Sequence, residues 1–146
     1  MIDVTLKKDV LRTAVVKGVV KMSSSTIKMI KQNKIPKGDV LTIAKVAGIM
    51  GAKKTSEIIP YCHPIKITGI DISFIIKKDS IEIIGKVNAV DKTGVEMEAL
   101  TAVTISALTI YDMCKNVDKE IVIEKIYLER KTKGEWIGKS YFNQYK

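Results

Sequence analysis

From Ile65 onward the spacing of apolar residues changes to a period of two. Ile70, Ile72, Phe74 and Ile76 alternate with Asp71, Ser73 and Lys77, and after the polar turn KKDS the chain resumes as IEIIGKVNAV. Alternation puts one set of side chains on one face, so two such runs about a short turn predict an antiparallel hairpin with an apolar face. That face needs a cover, and helical spacing flanks the hairpin on both sides. Upstream, SSSTIKMIKQNK (23–34) reads as a short helix behind serine caps. In PKGDVLTIAKVAGIMGA (36–52), Val40, Ile43, Ala44, Ala47 and Met50 follow helical spacing behind a capping Asp39. A further turn or two fits between Lys53 and Ile59, stopped by Pro60. Downstream, GVEMEALTAVTISALTIYDMCKNV (94–117) is a long helix with Met97, Leu100, Val103, Ala107, Leu108, Tyr111 and Cys114 near one face. RTAVVKGVVKM (12–22) and EIVIEKIYLERK (120–131) read as strands. The order β-α-(α)-β-β-α-β is the split βαβ pattern of ferredoxin-like α+β folds, an antiparallel sheet with helices on one face. Such a fold hosts many activities and selects none.

A chain of 146 residues fits a single domain, 1–146, that buries roughly 70% of its unfolded surface. No segment has linker composition. The apolar-leaning run Ala99–Tyr111 carries four hydroxyl residues and falls short of the ~20 residues a membrane helix needs. The start, MIDVTLKKDV, lacks the basic, apolar and small-residue sequence of a secretory signal. A cytoplasmic protein is expected, with Cys62 and Cys114 as free thiols. A net charge of +9 attracts anions. Of its 25 cationic side chains only Arg12 and Arg130 are arginines, which favours phosphate binding over the bidentate reading of bases. GIMGAKKT (48–55) resembles a phosphate loop but lacks the required glycine–lysine spacing and sits within helical periodicity, so it is not one.

The single histidine lies in IIPYCHPIK (58–66). One histidine and two cysteines are too few for a closed zinc site, and no metal is expected. Pro64 biases His63 toward an extended backbone, so from the residues alone a packed strand-start histidine is the simpler account and a working imidazole the sharper one. Lys37 in KGDV precedes a helix N-terminus, where a cation would complete a phosphate seat; equally, the motif is a turn and a cap. Lys53 and Lys54 fit a solvated helix face. Glu96 and Glu98 suit the start of the long helix electrostatically. Asp112 and Lys115 lie three residues apart, as a surface ion pair or as an acid/base pair whose members tune each other. Glu98 and Asp112 are 14 residues apart, roughly 21 Å along one straight helix. If both serve one small-molecule site, a second subunit must supply one of them.

KGDVLTIAKVAGIMGAKKTSEIIPYCHPI and KTGVEMEALTAVTISALTIYDMCK closely resemble the signature stretches of the molybdenum cofactor biosynthesis protein C (MoaC) family, in register from about Asp3 to Lys131. The resemblance implies a pyrophosphate-releasing lyase that turns 3',8-cyclo-7,8-dihydro-GTP into cyclic pyranopterin monophosphate. It also implies a ferredoxin-like homohexamer, a trimer of dimers, with the active site between subunits. No nucleic acid or membrane partner and no cofactor are implied, with Mg²⁺ at the triphosphate left open. Tyr61, Cys62 and His63 match the family's substrate-binding LCHP, Tyr61 differing in identity, so His63 becomes a site residue. Met97 and Glu98 match substrate-contacting positions, with Glu96 beside them. Asp112 matches the catalytic acid/base and Lys115 its partner, while Lys37, Lys53 and Lys131 match basic positions lining the pocket. Forming a cyclic phosphate requires a sugar hydroxyl to attack the α-phosphorus as pyrophosphate leaves, chemistry that needs cations on phosphate oxygens. Rebuilding the ring requires proton transfers, which Asp112 and Lys115 could supply, with His63 positioning or shuttling.

Two features depart from the family pattern. Family chains usually carry more residues before a VDVS-like start, here IDVT, so an N-terminal strand is expected to be missing. The tail KGEWIGKSYFNQYK departs from the usual GGKSG ending. The rival reading is a basic ferredoxin-like RNA-binding module, against which stand an aromatic content of 5% and the absence of an aromatic strand motif.

Overall fold

The computed structural model describes residues 1–134. Its elements run β1 (Val10–Lys21), α1 (Ser24–Lys31), α2 (Val40–Lys53), α3 (Thr55–Ile58), β2 (Ile67–Ile76), β3 (Ser80–Asp91), α4 (Glu96–Cys114) and β4 (Val122–Lys133). The strands form one antiparallel sheet in the order β2-β3-β1-β4, with α2 and α4 packed against it. This is the split βαβ arrangement expected from the hydrophobic spacing.

The central position of β1 explains its valine content. It pairs with β3 along its whole length and with β4 on the other side, so Ala14, Val15, Val16 and Val20 are all buried. On the helix side Ala14, Val16 and Val20 meet Ile72, Ile81, Ile83 and Val87. Two small residues seat α4 here. A Cβ added at Gly18 would lie 2.7 Å from Val103, and one added at Gly85 would lie 2.6 Å from it, so β1 and β3 leave a shallow socket for that side chain.

Local signals set the boundaries. Ser23 caps α1 by accepting from the Thr26 amide at 3.3 Å, and Asn33, in the left-handed region at φ 52, helps end the segment. The helix therefore stops at Lys31 rather than running to Lys34. Asp39 caps α2 by accepting from the Thr42 amide, also at 3.3 Å.

The buried faces of the two long helices keep the expected Val40, Ala44, Val103, Ala107 and Cys114 but differ from the expected ones at other positions. In α2 the inward residues are Val40, Ala44, Gly48, Gly51 and Ala52, whereas Ile43 and Met50 remain 47% and 55% exposed. In α4 they include Ala99, Ala102, Val103, Ser106, Ala107, Ile110 and Cys114, whereas Leu108 is 54% exposed and Tyr111 also faces outward. Small residues face inward because the helices approach closely: the Ser106 hydroxyl donates to the Ala44 carbonyl at 2.8 Å, and Gly48 lies against Ala102 and Ile72. No strand precedes Val10 among the described residues, and the divergent tail beyond Gly134 lies outside them.

Candidate active site

The expected functional residues gather at the two ends of α4. At its N-terminal end, Tyr61, Cys62 and His63 from the α3–β2 connection meet Glu96 and Met97 around an open hollow of about 520 Å³. Ile59, Ile65 and the N-terminal residues Ile2 and Val4 complete a largely apolar wall. A second hollow of about 390 Å³ adjoins it, sharing Lys7, Thr93, Gly94 and Glu96. Its lining adds Arg12, Lys131 and Lys133, so four cationic side chains surround the first turn of α4. That helix start has no side-chain cap, and its amides and dipole reinforce the preference for an anion. An apolar seat beside a cationic seat suits a molecule with a flat heterocycle at one end and phosphates at the other.

The acidic groups here are under-satisfied. Glu96 Oε1 lies 3.7 Å from Lys131 Nζ, while its Oε2 is buried without a partner. Glu98 is 2% exposed; the Cys62 Sγ lies 3.9 Å from its Oε1, and its Oε2 has no partner. Burial pushes the Glu98 carboxyl above the usual carboxylate range, and the Glu96 charge adds to the effect. Burial, then the Glu98 charge, likewise raises the Cys62 thiol, which favours its role as a donor.

At the opposite end, Asp112 lies between two lysines. Lys115 Nζ is 3.0 Å from Oδ1 and Lys37 Nζ is 3.1 Å from Oδ2, and Lys37 also donates to the Asp112 carbonyl at 3.0 Å. Hydrogen bonds from Lys115, then Lys37, hold the carboxyl below its usual range. Lys37 thus reaches across to α4 instead of standing alone before α2. Lys53 is exposed at the last turn of α2 and lines neither hollow.

The two clusters are separated by most of α4, roughly 21 Å between Glu98 and Asp112 at 1.5 Å per residue. The structure also adds Lys7 and Lys133, which the residue patterns had not singled out. Arg12 pairs with Lys133 in the β1–β4 register, a proximity visible only once the strands are aligned. Arg12 Nη2 donates to the Lys92 carbonyl at 3.1 Å, and its buried Nε has no partner.

The MoaC family model matches residues 1–134. A cyclic pyranopterin monophosphate synthase of Listeria innocua serovar 6a is 57% identical over 135 residues, covering 92% of this chain and 84% of that protein. Proteins of the same name are 51% identical over 136 residues in Heliobacterium modesticaldum and 53% over 135 residues in Desulfitobacterium hafniense. Each alignment covers 92% of this chain, with 86% and 83% of the respective relatives. A match of this extent over the strands, the long helix and both clusters makes the chain a member of the MoaC family.

Proposed function

We propose that the chain converts 3',8-cyclo-7,8-dihydro-GTP into cyclic pyranopterin monophosphate with release of pyrophosphate, as a cyclic pyranopterin monophosphate synthase of molybdenum cofactor biosynthesis. Family membership and the shared name of relatives at 51–57% identity support this reading. The observation that carries its mechanism is the division of the matched residues between the ends of α4. A two-fold pairing of antiparallel α4 helices would bring the Asp112 cluster of one copy toward the Glu96–His63 cluster of the other. The outward apolar residues of α2 and α4 supply a surface for that pairing, and a trimer of such dimers is the assembly we assign.

In the joined site the heterocycle occupies the apolar hollow beside His63 and Met97. The phosphates take the cationic hollow, where Lys131 and its neighbours offset charge as the sugar hydroxyl attacks and pyrophosphate departs. Asp112, held ionised by Lys115 and Lys37, accepts a proton during ring rearrangement, and Lys115 returns one. Tyr61 and Cys62 line the base side, and Glu96 and Glu98 hold polar groups of the substrate. Mg²⁺, where the triphosphate brings it, would sit on phosphate oxygens. The cytoplasm is the compartment this reading implies.

An RNA-binding role is not favoured. The sheet face away from the helices joins Lys17 to Glu82 at 3.7 Å and to Glu129 at 3.4 Å, and Lys77 to Glu82 at 3.2 Å. Mixed ion pairs of this kind do not make an aromatic stacking platform. Supplying enzymatically prepared cyclised GTP and following pyrophosphate together with the pterin product tests the proposal. Coupled appearance of both supports the synthase; no turnover by the folded oligomer overturns it.

A further inference from the structure

Asp118 is an acidic group that the reaction does not use, yet it is 7% exposed and densely bonded. Its Oδ2 accepts from the Ser23 amide at 2.9 Å, the Ser23 hydroxyl at 3.1 Å and the Thr26 hydroxyl at 2.8 Å. Its Oδ1 accepts from the Glu120 amide at 2.9 Å. Burial opposes the charge, but the hydrogen bonds from Ser23, Glu120 and Thr26 outweigh it and hold the carboxyl below its usual range.

The location matters more than the bond count. The Asp118 amide donates to the Cys114 carbonyl at 3.1 Å, in the last turn of α4, the turn that carries Asp112 and Lys115. Its side chain grips the first residues of α1 instead. The C-terminal end of α1 leads through buried Ile35 to Lys37, whose ammonium returns to Asp112. A closed circuit results: Asp112, the end of α4, Asp118, the start of α1, Lys37, and Asp112 again. Asp118 is the polar link on its far side.

We propose that Asp118 is a positioning residue for the catalytic cluster, a latch between the end of α4 and the start of α1 that sets Lys37 and Lys115 on either side of Asp112. The proposal rests on the reading of Asp112 and Lys115 as the acid/base pair. Among the described residues, the charged groups facing Asp112 are Lys115 on its own helix and Lys37 from the α1–α2 connection. Loosening the latch weakens both contacts, so the Asp112 carboxyl returns toward its ordinary range.

The full-length protein with Asp118→Asn tests this in two ways. Trace acetylation of lysine amines, read by mass spectrometry, is expected to label Lys37 and Lys115 several-fold faster than in the wild type, with Lys53 unchanged. The acid limb of the kcat/KM profile is expected to move to higher pH. Ile83→Ala, a core truncation remote from the latch, should lower Tm without either effect. If Asp118→Asn does not fold, Thr26→Val removes one donor and should move both readouts in the same direction by less. Unchanged labelling of Lys37 and Lys115 in the folded variant overturns the latch, whatever happens to Tm. Wild-type turnover by Asp112→Asn would instead overturn the acid/base reading, while the labelling would still decide the latch.

Discussion

Asp112 and Glu98 are carboxylates on the same helix, and their surroundings push them in opposite directions. Two lysines hold Asp112 ionised, whereas burial beside Glu96 makes Glu98 retain its proton above the ordinary range. Such separation suits Asp112 to the base role proposed for it and leaves Glu98 a weaker acid than an ordinary carboxyl. Asp112→Asn removes the ionised partner of both lysines, so turnover should fall roughly a hundredfold or more while the fold persists; steady-state pyrophosphate release measures it. Glu98→Gln should act on stability. A raised folded-state pKa means that the native protein binds this proton more tightly than the unfolded chain, so stability is lost as pH rises through that window. Replacing the group removes this loss. Glu98→Gln should therefore be more stable than the wild type near pH 7, with the gain shrinking in acid and catalysis reduced. Thermal melts at several pH values check the sign. Neither carboxylate's state is legible in the motifs EME and YDMCK, because burial and the partner from position 37 arise only in the fold.

At the scale of elements, the contact between α2 and α4 carries a sharp constraint. A Cβ at position 48 would stand 2.6 Å from Ile72 Cδ1 and 2.8 Å from the Ala102 carbonyl, in addition to meeting the Ser106 hydroxyl. Gly48→Ala should therefore force the helices apart and cost about 2 kcal/mol, as overpacking of a tight core does. Urea unfolding midpoints measure it. This contact also explains why the hydrophobic spacing predicted both helices yet misjudged part of each face. Ile43, Met50, Leu108 and Tyr111 carry the larger apolar surface, so spacing weighted by hydrophobicity turns them inward. Close packing selects alanine, glycine and serine instead, and leaves the large residues outside. The hairpin had no such ambiguity, since a shift by one residue in a strand exposes its entire apolar set.

At the scale of the whole molecule, the proposed assembly would cover the outward apolar surface and join the two clusters of different subunits. Leu108→Glu should split the pairing of subunits and abolish turnover while leaving the far-ultraviolet circular dichroism unchanged; analytical ultracentrifugation reads the dissociation. Subunit complementation is a stricter check. His63→Ala and Asp112→Asn damage opposite ends of α4, so co-assembled chains should recover about a quarter of wild-type activity, because random pairing restores one site in half of the dimers. No recovery would overturn the site shared between subunits. The amino-acid sequence by itself determined the elements and, through the resemblance of its motifs, the family, because periodicity, caps and motifs are properties of neighbouring residues. Tertiary structure alone decided that Lys37 grips Asp112 across 75 positions, that Arg12 stands opposite Lys133, and that burial raises the Glu98 carboxyl above its usual range. Those outcomes depend on distance and solvent exclusion between segments remote in the chain, and local spacing contains neither quantity.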